Sequence, residues 1–136
     1  MNKSRKVFLL LVTTGLFFLL IGCNRQNVEK VNVDEVKGWA NTAAEKIFNG
    51  IDEENYSLFS EDFDQEMISG LTEDKFNQIV TQLGKFESGE IIDADKVEGY
   101  TRAYYKTRFS KISRDVTFTI VFSGTEDIKI SGLFFK

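Results

Sequence analysis

The 136-residue chain predicts an α+β fold, in which an N-terminal signal helix precedes three helices packed on a curved antiparallel sheet of about four strands. Up to Leu83 the apolar residues recur at steps of three and four, the period of a helix buried on one face. After Gly84 the step changes to two, the period of a strand with one face on a core. The sequence therefore predicts helices first and an antiparallel sheet second.

Capping residues set the expected ends of the helices. Asn32 stands three residues before Glu35 and is the predicted N-cap of the first helix, whose buried face spans residues 36–48. Asn49-Gly50 is its predicted stop, because glycine adopts the left-handed conformation without a steric penalty. The other expected boundaries are Asp52 as the cap of a short second helix, Gly70 as the end of a further helical piece, Thr72 as the cap of the third full helix and Gly84 as its end.

Four segments with alternating apolar residues are expected to form the sheet, namely residues 86–92, 100–109, 116–122 and 128–135. The turn Ser123-Gly124-Thr125 predicts how the last two strands pair. In that register Phe122 faces Ile128, Ile120 faces Ile130 and Phe118 faces Gly132. The large apolar residues would then lie on one side of the sheet.

An apolar stretch without charges occupies residues 7–21, shortly after Lys3, Arg5 and Lys6. A basic start followed by an apolar run of about 15 residues is the pattern of a secretory signal peptide. The run is short for a membrane-spanning helix, which needs roughly 20 apolar residues. An uncleaved N-terminal anchor helix is the alternative.

This stretch leads to Cys23, the one cysteine of the sequence, and Leu20-Ile21-Gly22-Cys23 resembles the lipobox of bacterial lipoproteins. The resemblance implies that the Cys23 thiol receives a diacylglycerol and that cleavage occurs directly before it. Two acyl chains satisfy the requirement for stable anchoring. We therefore expect a cleaved signal peptide (1–22), a lipidated tether (23–31) and a single α+β domain (32–136), held on the extracytoplasmic face of a bacterial cell membrane.

The composition disfavours several classes of function. Without residues 1–22 the chain keeps 14 basic and 21 acidic side chains, a net charge of −7, which makes nucleic acid a poor partner. The absence of histidine removes Ser-His-Asp and Cys-His catalysis and the usual zinc sites. Nine acidic residues between positions 52 and 74 lack the glycine and the spaced glutamate of an EF-hand calcium loop. No cofactor and no metal are expected.

Two parts of the chain carry a resemblance to a known family. The first runs from Tyr56 to Leu83 and contains Leu58-Phe59 and Met67-Ile68-Ser69-Gly70-Leu71-Thr72, and the second is the closing Ile130-Ser131-Gly132-Leu133-Phe134. They resemble an uncharacterised bacterial family, a domain of unknown function within the nuclear transport factor 2-like superfamily. The resemblance covers most of residues 34–135 and implies a cone-shaped fold, whose helices cover the concave face of a bent sheet, often around a pocket. Members of that superfamily include enzymes, binding domains and dimerisation modules, so fold alone does not select the function.

The predicted second strand carries a candidate interaction face. The side that points away from the helices presents Tyr100, Arg102, Tyr104, Lys106 and Arg108. Aromatic and arginine side chains are typical anchors of protein contacts, and basic residues also attract anionic lipid headgroups. A partner protein or homodimer, a membrane or anionic ligand, and a merely solvated sheet face are the three alternatives for this surface.

Four aromatic residues, Trp39, Phe76, Tyr105 and Phe118, are the candidate lining of a pocket between helices and sheet, with plain core packing as the alternative. Isomerase-like enzymes of the resembled superfamily use a pocket tyrosine with aspartates, a role for which Tyr105 is the candidate. No inward carboxylate is expected beside it on the central strands. The leading hypothesis is a membrane-anchored, non-catalytic domain that binds a partner protein or itself, and the alternatives are a small-ligand module and a weak isomerase-like enzyme.

Overall fold

A computed structural model describes residues 26–136, in which four helices accompany one five-stranded antiparallel sheet of order β1-β2-β3-β4-β5. The helices are α1 (Val33–Asp52), α2 (Tyr56–Phe59), α3 (Gln65–Gly70) and α4 (Glu73–Leu83). The strands are β1 (Val28–Lys30), β2 (Phe86–Val97), β3 (Tyr100–Phe109), β4 (Val116–Ser123) and β5 (Lys129–Phe135). Among these residues no helix has the length and apolar character needed to cross a bilayer. The expected signal helix and lipobox lie outside the described residues.

The α+β prediction is confirmed, but the numbers of helices and strands differ from it. Two separate short helices, α2 and α3, fill the segment between the long helices, so four helices replace the expected three. The fifth strand, β1, lies in the segment expected to be tether, where Val28 pairs with Val97 and Lys30 with Asp95. Its three residues are all exposed and carry no hydrophobic period, so no pattern in the sequence indicates this strand.

The start of α1 agrees with the prediction and its end does not. The Asn32 side chain accepts a hydrogen bond from the backbone N–H of Asp34 at 3.0 Å, which confirms the N-cap. The predicted stop at Asn49-Gly50 is wrong, because the helix continues to Asp52. A Cβ on Gly50 would lie 2.7 Å from backbone atoms of Phe59. The glycine therefore allows α2 to approach α1 closely.

Asp52 belongs to α1, so its predicted role as the cap of the second helix is also wrong. Asn55 takes this role, and its side chain accepts a hydrogen bond from the N–H of Leu58 at 3.1 Å. Thr72 stands at the N-cap position of α4 without a side-chain capping bond. Gly84, with a φ of +75°, follows the end of α4 as predicted.

The register between β4 and β5 differs from the prediction. The observed pairs are Phe122 with Ile130, Ile120 with Leu133 and Phe118 with Phe135. The connecting turn is longer than expected, because β5 begins at Lys129, and a β-bulge between Val121 and Phe122 shifts the remaining pairs. Alternate residues of β4 are nevertheless buried, so the predicted core face of this strand is correct.

Candidate functional site

Alternation along β3 separates the two faces of the sheet. The buried positions are Ala103, Tyr105, Thr107 and Phe109. The opposite side, which we call the outer face, presents Tyr100, Arg102, Tyr104, Lys106 and Arg108. The predicted division of this strand into an inner and an outer side is therefore confirmed.

A buried carboxylate holds two side chains of the outer face in place through hydrogen bonds. The side chain of Asp95 on β2 is 8% exposed and accepts hydrogen bonds from Nε and Nη2 of Arg102 at 2.6 and 2.8 Å. The Tyr104 hydroxyl donates to the same carboxylate at 3.0 Å, and the Arg102 guanidinium lies 5.7 Å from the Tyr104 ring centroid. Arg102 and Tyr104 are thus held in one geometry on the exposed side of the sheet.

These contacts change the acidity of both donors. The hydrogen bonds to Asp95 raise the pKa of the Arg102 guanidinium above its usual value. Burial raises the pKa of the Tyr104 phenol, and the hydrogen bond to Asp95 adds to the shift. A raised pKa keeps each group protonated. Both side chains therefore remain donors to Asp95 throughout the physiological pH range.

The other two basic residues of the outer face, Lys106 and Arg108, share a second carboxylate. Asp115 lies 3.2 Å from Nη1 of Arg108 and 3.5 Å from Nζ of Lys106. All three side chains are about half exposed, so this cluster is hydrated and weakly held compared with the Asp95 group. Asp115 neutralises part of the basic strand.

Asp95 is not among the predicted site residues, because the sequence predicts a first strand that ends at residue 92. β2 instead continues to Val97 through two irregularities, between Phe86 and Ser88 and between Ile91 and Asp93. Each β-bulge resets the two-residue alternation, which hides the strand from a search for a constant period. The alternating Asp93-Ala94-Asp95 segment is the signal that could have revealed it.

A shallow cleft of about 320 Å³ crosses the outer face beside the Asp95 group. Its lining consists of Arg102, Tyr104, Thr117, Thr119, Phe134, Phe135 and Lys136. Two aromatic side chains of the outer face are exposed, Phe134 to 63% and Tyr100 to 45%. The outer face therefore combines fixed polar groups with exposed aromatic surface.

The four predicted pocket residues pack among the aromatic side chains of the core, where Tyr105 and Phe118 share Phe48 as a neighbour. Trp39 contacts Phe122 edge to face with ring centroids 4.9 Å apart. The ring centroid of Phe76 lies 4.6 Å from that of Phe59 on the helical side, and that of Phe118 lies 5.5 Å from that of Phe48. Phe76, Phe118 and Tyr105 are at most 2% exposed. These side chains fill the core and do not face one shared space.

Tyr105 nevertheless reaches a cleft of about 170 Å³ between α1 and the sheet. Its hydroxyl donates to Oδ1 of Asn41 at 3.0 Å. Burial raises the pKa of the Tyr105 phenol, and the nearby Glu45 carboxylate raises it further. The other residues that line this cleft are Ala44, Phe48, Asn49, Phe86, Gly89 and Glu90.

The acidic segment around residues 52–74 is neutralised in part by Lys46. Its ammonium group lies 3.0 Å from Glu61 and 3.1 Å from Asp62. Within residues 26–136 no group of three or more His, Cys, Asp or Glu side chains could hold a metal ion. The lipidation residue Cys23 and the lipobox residues Leu20, Ile21 and Gly22 lie outside the described part of the chain.

One family model matches the chain over residues 44–133, and its description is "Protein of unknown function (DUF3887)". The match begins within α1 and ends within β5, so it includes both the outer face and Tyr105. No curated protein and no solved structure matches the chain.

Proposed function

We propose a function on the premise that the chain belongs to the family of proteins of unknown function DUF3887. The function is that of a lipid-anchored domain on the extracytoplasmic face of a bacterial membrane, which binds a protein partner through its outer face. The domain is non-catalytic in this proposal. The observation that carries it is the Asp95 group, which fixes an arginine and a tyrosine on an exposed surface.

Rigid presentation favours binding, because a side chain that is already ordered loses little conformational entropy when a partner covers it. Arg102 and Tyr104 belong to the residue types that dominate the energetics of protein interfaces. Phe134 lies across β4 from Tyr104, since both pair with Thr119 of that strand. The outer face thus offers ordered polar anchors beside an apolar contact surface.

The position of β1 supports a domain held close to its lipid. The chain enters the sheet at Val28, beside Val97, at the end of the sheet where β3 begins. Four residues lie between Cys23 and Val28, and the five extended residue steps that join them span about 17 Å at most. The lipid would therefore lie near this end of the sheet.

This entry point favours a protein over lipid headgroups as the partner of the basic residues. Lys106 and Arg108 lie six and eight residues along β3 from Tyr100, roughly 20 and 26 Å from the end where the tether enters. The residues nearest the tether carry both signs, since Glu29 pairs with Lys96 and the acidic Glu98 follows Val97. A domain that stands on its tether would therefore carry its basic strand end away from the bilayer.

The cone-shaped arrangement of the nuclear transport factor 2-like superfamily is part of the proposal. Its support is the order of elements, with helices covering one face of an antiparallel sheet, and the bulges in β2 and β5 that bend such a sheet. An experimental structure tests this element of the proposal. A flat sheet with helices on both faces would contradict it.

The interaction proposal is tested by Thr119→Arg, which introduces a long charged side chain at a partly exposed position of the outer face without removing a packed group. A matched control is Gln78→Arg on the exposed side of α4. Tagged full-length protein is purified from native membranes after cross-linking. We expect Thr119→Arg to lose the cross-linked partner and Gln78→Arg to retain it. Equal recovery from both variants would contradict the proposal.

The anchoring proposal has a test of its own. Cys23→Ala removes the only thiol that the lipid can modify, so the precursor should stay uncleaved and should incorporate no labelled palmitate. Cys23 lies outside the described structure, and its substitution leaves every described contact in place. Normal lipid labelling of the Cys23→Ala chain would refute the anchoring proposal and leave the interaction proposal to its own test.

A second candidate function is the binding of a small ligand in the Tyr105 cleft. The specific observation is that the Asn41–Tyr105 pair lies beside the stacked rings of Phe48 and Phe86, whose centroids are 4.5 Å apart. The carboxylates of Glu45 and Glu90 line the same cleft and favour a small organic cation over an anion.

The ligand hypothesis is tested with choline as a cationic probe and succinate as an anionic one. Choline should shift the NMR signals of Phe48 and Phe86 in a saturable manner, and Glu45→Gln should weaken this response. Succinate should leave the signals in place. No shift with choline at millimolar concentration would end the hypothesis for organic cations.

A further inference from the structure

The cleft of about 320 Å³ on the outer face is a groove whose floor is β4. The floor side chains Thr117 and Thr119 are short and partly exposed. Tyr104 of β3 and Phe134 of β5 pair with Thr119 from either side, and their longer side chains form the two walls. The groove therefore runs parallel to the strands between two aromatic side chains.

Cationic side chains stand at both ends of this groove. Arg102 lines one end. At the other end Lys106 and Lys136 flank Thr117, one on each side. None of the seven described residues that line the groove has an acidic side chain. Complementarity of charge therefore predicts an acidic occupant.

The carboxylates nearby leave this attraction in place. Asp115 lies 3.5 Å from Lys106, but it also lies 3.2 Å from Arg108, so the cluster keeps one positive charge. The same three side chains and Glu90 line a second cleft of the outer face, where acidic and basic side chains are equal in number. Of the two clefts, the groove on β4 is the one whose charges select an acidic partner.

Arg102 is able to bind a second carboxylate. Asp95 accepts hydrogen bonds from Nε and from Nη2 of the guanidinium. Within residues 26–136 no group accepts a hydrogen bond from Nη1, which leaves further N–H donors for a ligand. Adjacent N–H groups of a guanidinium match the two oxygens of a carboxylate. Since Asp95 already holds this side chain in place, a second carboxylate would lose little entropy by ordering it.

The width of the groove favours an extended segment over a helix. Neighbouring strands are about 4.8 Å apart, so β3 and β5 lie about 10 Å apart on either side of β4. A helix with its side chains is about 10–12 Å across and would not reach the floor between the walls. An extended chain fits, and its alternate side chains repeat at the same step as the outer residues of β4.

The strand pairing fixes the order of contacts along the groove. Arg102 lies at one end and Lys106 at the other, about 13 Å apart along β3. Tyr104 and Phe134 lie between them. We infer that the partner bound by the outer face presents an extended acidic segment, in which two carboxylates flank an apolar residue in the order acid-x-apolar-x-acid. The inference rests on the proposed function and specifies the chemistry of its partner.

Every second position of that segment has a counterpart in the groove. One carboxylate accepts hydrogen bonds from Arg102, and the other meets Lys106. The apolar side chain packs over Thr119 between the aromatic walls. The order of these three residues is the same in both chain directions, so the segment can run parallel or antiparallel to β4. The rest of the domain repels such a segment, because without residues 1–22 the chain has a net charge of −7.

A labelled heptapeptide tests the inference on purified full-length protein in non-ionic detergent. The probe is Thr-Glu-Thr-Phe-Thr-Glu-Thr, and fluorescence anisotropy measures its binding. A control peptide of the same composition, Thr-Glu-Thr-Phe-Glu-Thr-Thr, has one glutamate moved by one position, so this carboxylate points away from the groove in an extended chain. We expect saturable binding of the probe and roughly three- to fivefold weaker binding of the control peptide.

Charge reversal at one end of the groove identifies the site. Lys106→Glu should weaken binding of the probe roughly 10-fold, because a repulsive pair replaces an attractive one. The matched control is Lys37→Glu on α1, which should bind the probe like wild type. The side chains of Lys37 and Lys106 are 53% and 52% exposed, and each contacts one aspartate. Circular dichroism checks that both variants are folded.

A third peptide tests the contact in the opposite sense. Thr-Glu-Thr-Phe-Thr-Lys-Thr carries lysine in place of one glutamate, so it should bind Lys106→Glu more tightly than wild type. That exchange of preference supports the acidic segment. Equal binding of the probe and the control peptide, or equal binding of the probe by Lys106→Glu and Lys37→Glu, overturns it.

Failure of the inference is distinguishable from failure of the proposed function. If no peptide binds saturably at millimolar concentration while Thr119→Arg still loses the cross-linked partner, the acidic segment is wrong and the proposed function stands. If Thr119→Arg also retains the partner, both are wrong.

Discussion

Replacing Arg102 by methionine should destabilise the domain far more than the same replacement of Arg108. Arg102 supplies two of the three hydrogen bonds that the Asp95 carboxylate receives from side chains, and the carboxylate is only 8% exposed. Removing one partner of a fully buried pair costs about 3–5 kcal/mol, because the remaining charge has no compensation. The Arg102 side chain is 29% exposed, so water reaches part of the site and we expect about 2–4 kcal/mol.

The matched control, Arg108→Met, breaks a pair whose members are both about half exposed, and it should cost at most about 1 kcal/mol. The free energy of unfolding is measured by urea denaturation, with an unchanged slope as evidence that the folded and unfolded states are comparable. Adding Asp95→Asn to Arg102→Met should recover part of the loss, because no charge then remains buried. Equal costs for Arg102→Met and Arg108→Met would refute the claim that the Asp95 group organises the outer face.

Two further predictions concern stability. Gly50→Ala should destabilise the domain by about 1–3 kcal/mol in urea denaturation, because its Cβ would lie 2.7 Å from the Phe59 backbone. Gly38→Ala in the same helix meets nothing within 4 Å and should stabilise by about 0.5–1 kcal/mol; similar effects of both substitutions would contradict the packing described. Hydrogen bonding from Ser131 lowers the pKa of the Asp64 carboxyl below 3.8. Stability that this group supplies above about pH 4 is lost as the pH falls further, so Asp64→Asn should flatten the acid limb of a thermal-melting series, and an unchanged limb would count against this role.

The features that the sequence predicts correctly are those governed by local rules. The two-residue alternation of β3 and β4 follows from one face lying on the core. It therefore identifies Arg102 as a residue of the exposed side and Tyr105 as a residue of the buried side. Asn32 caps α1 through a contact with a residue two positions away. Short packing and capping segments also predict a family of unknown function, and the match to a family model confirms this prediction.

The features that the sequence did not predict depend on distant contacts. Gly50 looks like a helix stop, and only the approach of Phe59 explains why a glycine stands inside α1. Strand β1 forms because Val28 pairs with Val97, and no local pattern indicates this pairing. The role of Asp95 requires a strand that continues through two bulges to place it beside Arg102. The candidate site was therefore visible as a row of cations, and its organising carboxylate was not.

A bound protein should cover the outer face when the chain is anchored in its membrane. The direct measurement is the rate at which a membrane-impermeant maleimide labels Thr119→Cys, first in intact cells and then after the solubilised protein is diluted. Gln78→Cys on α4 serves as the reference site. We expect slow labelling at position 119 in cells, fast labelling after dilution and no change at position 78. Equally fast labelling at position 119 in both conditions would show that no protein covers the outer face.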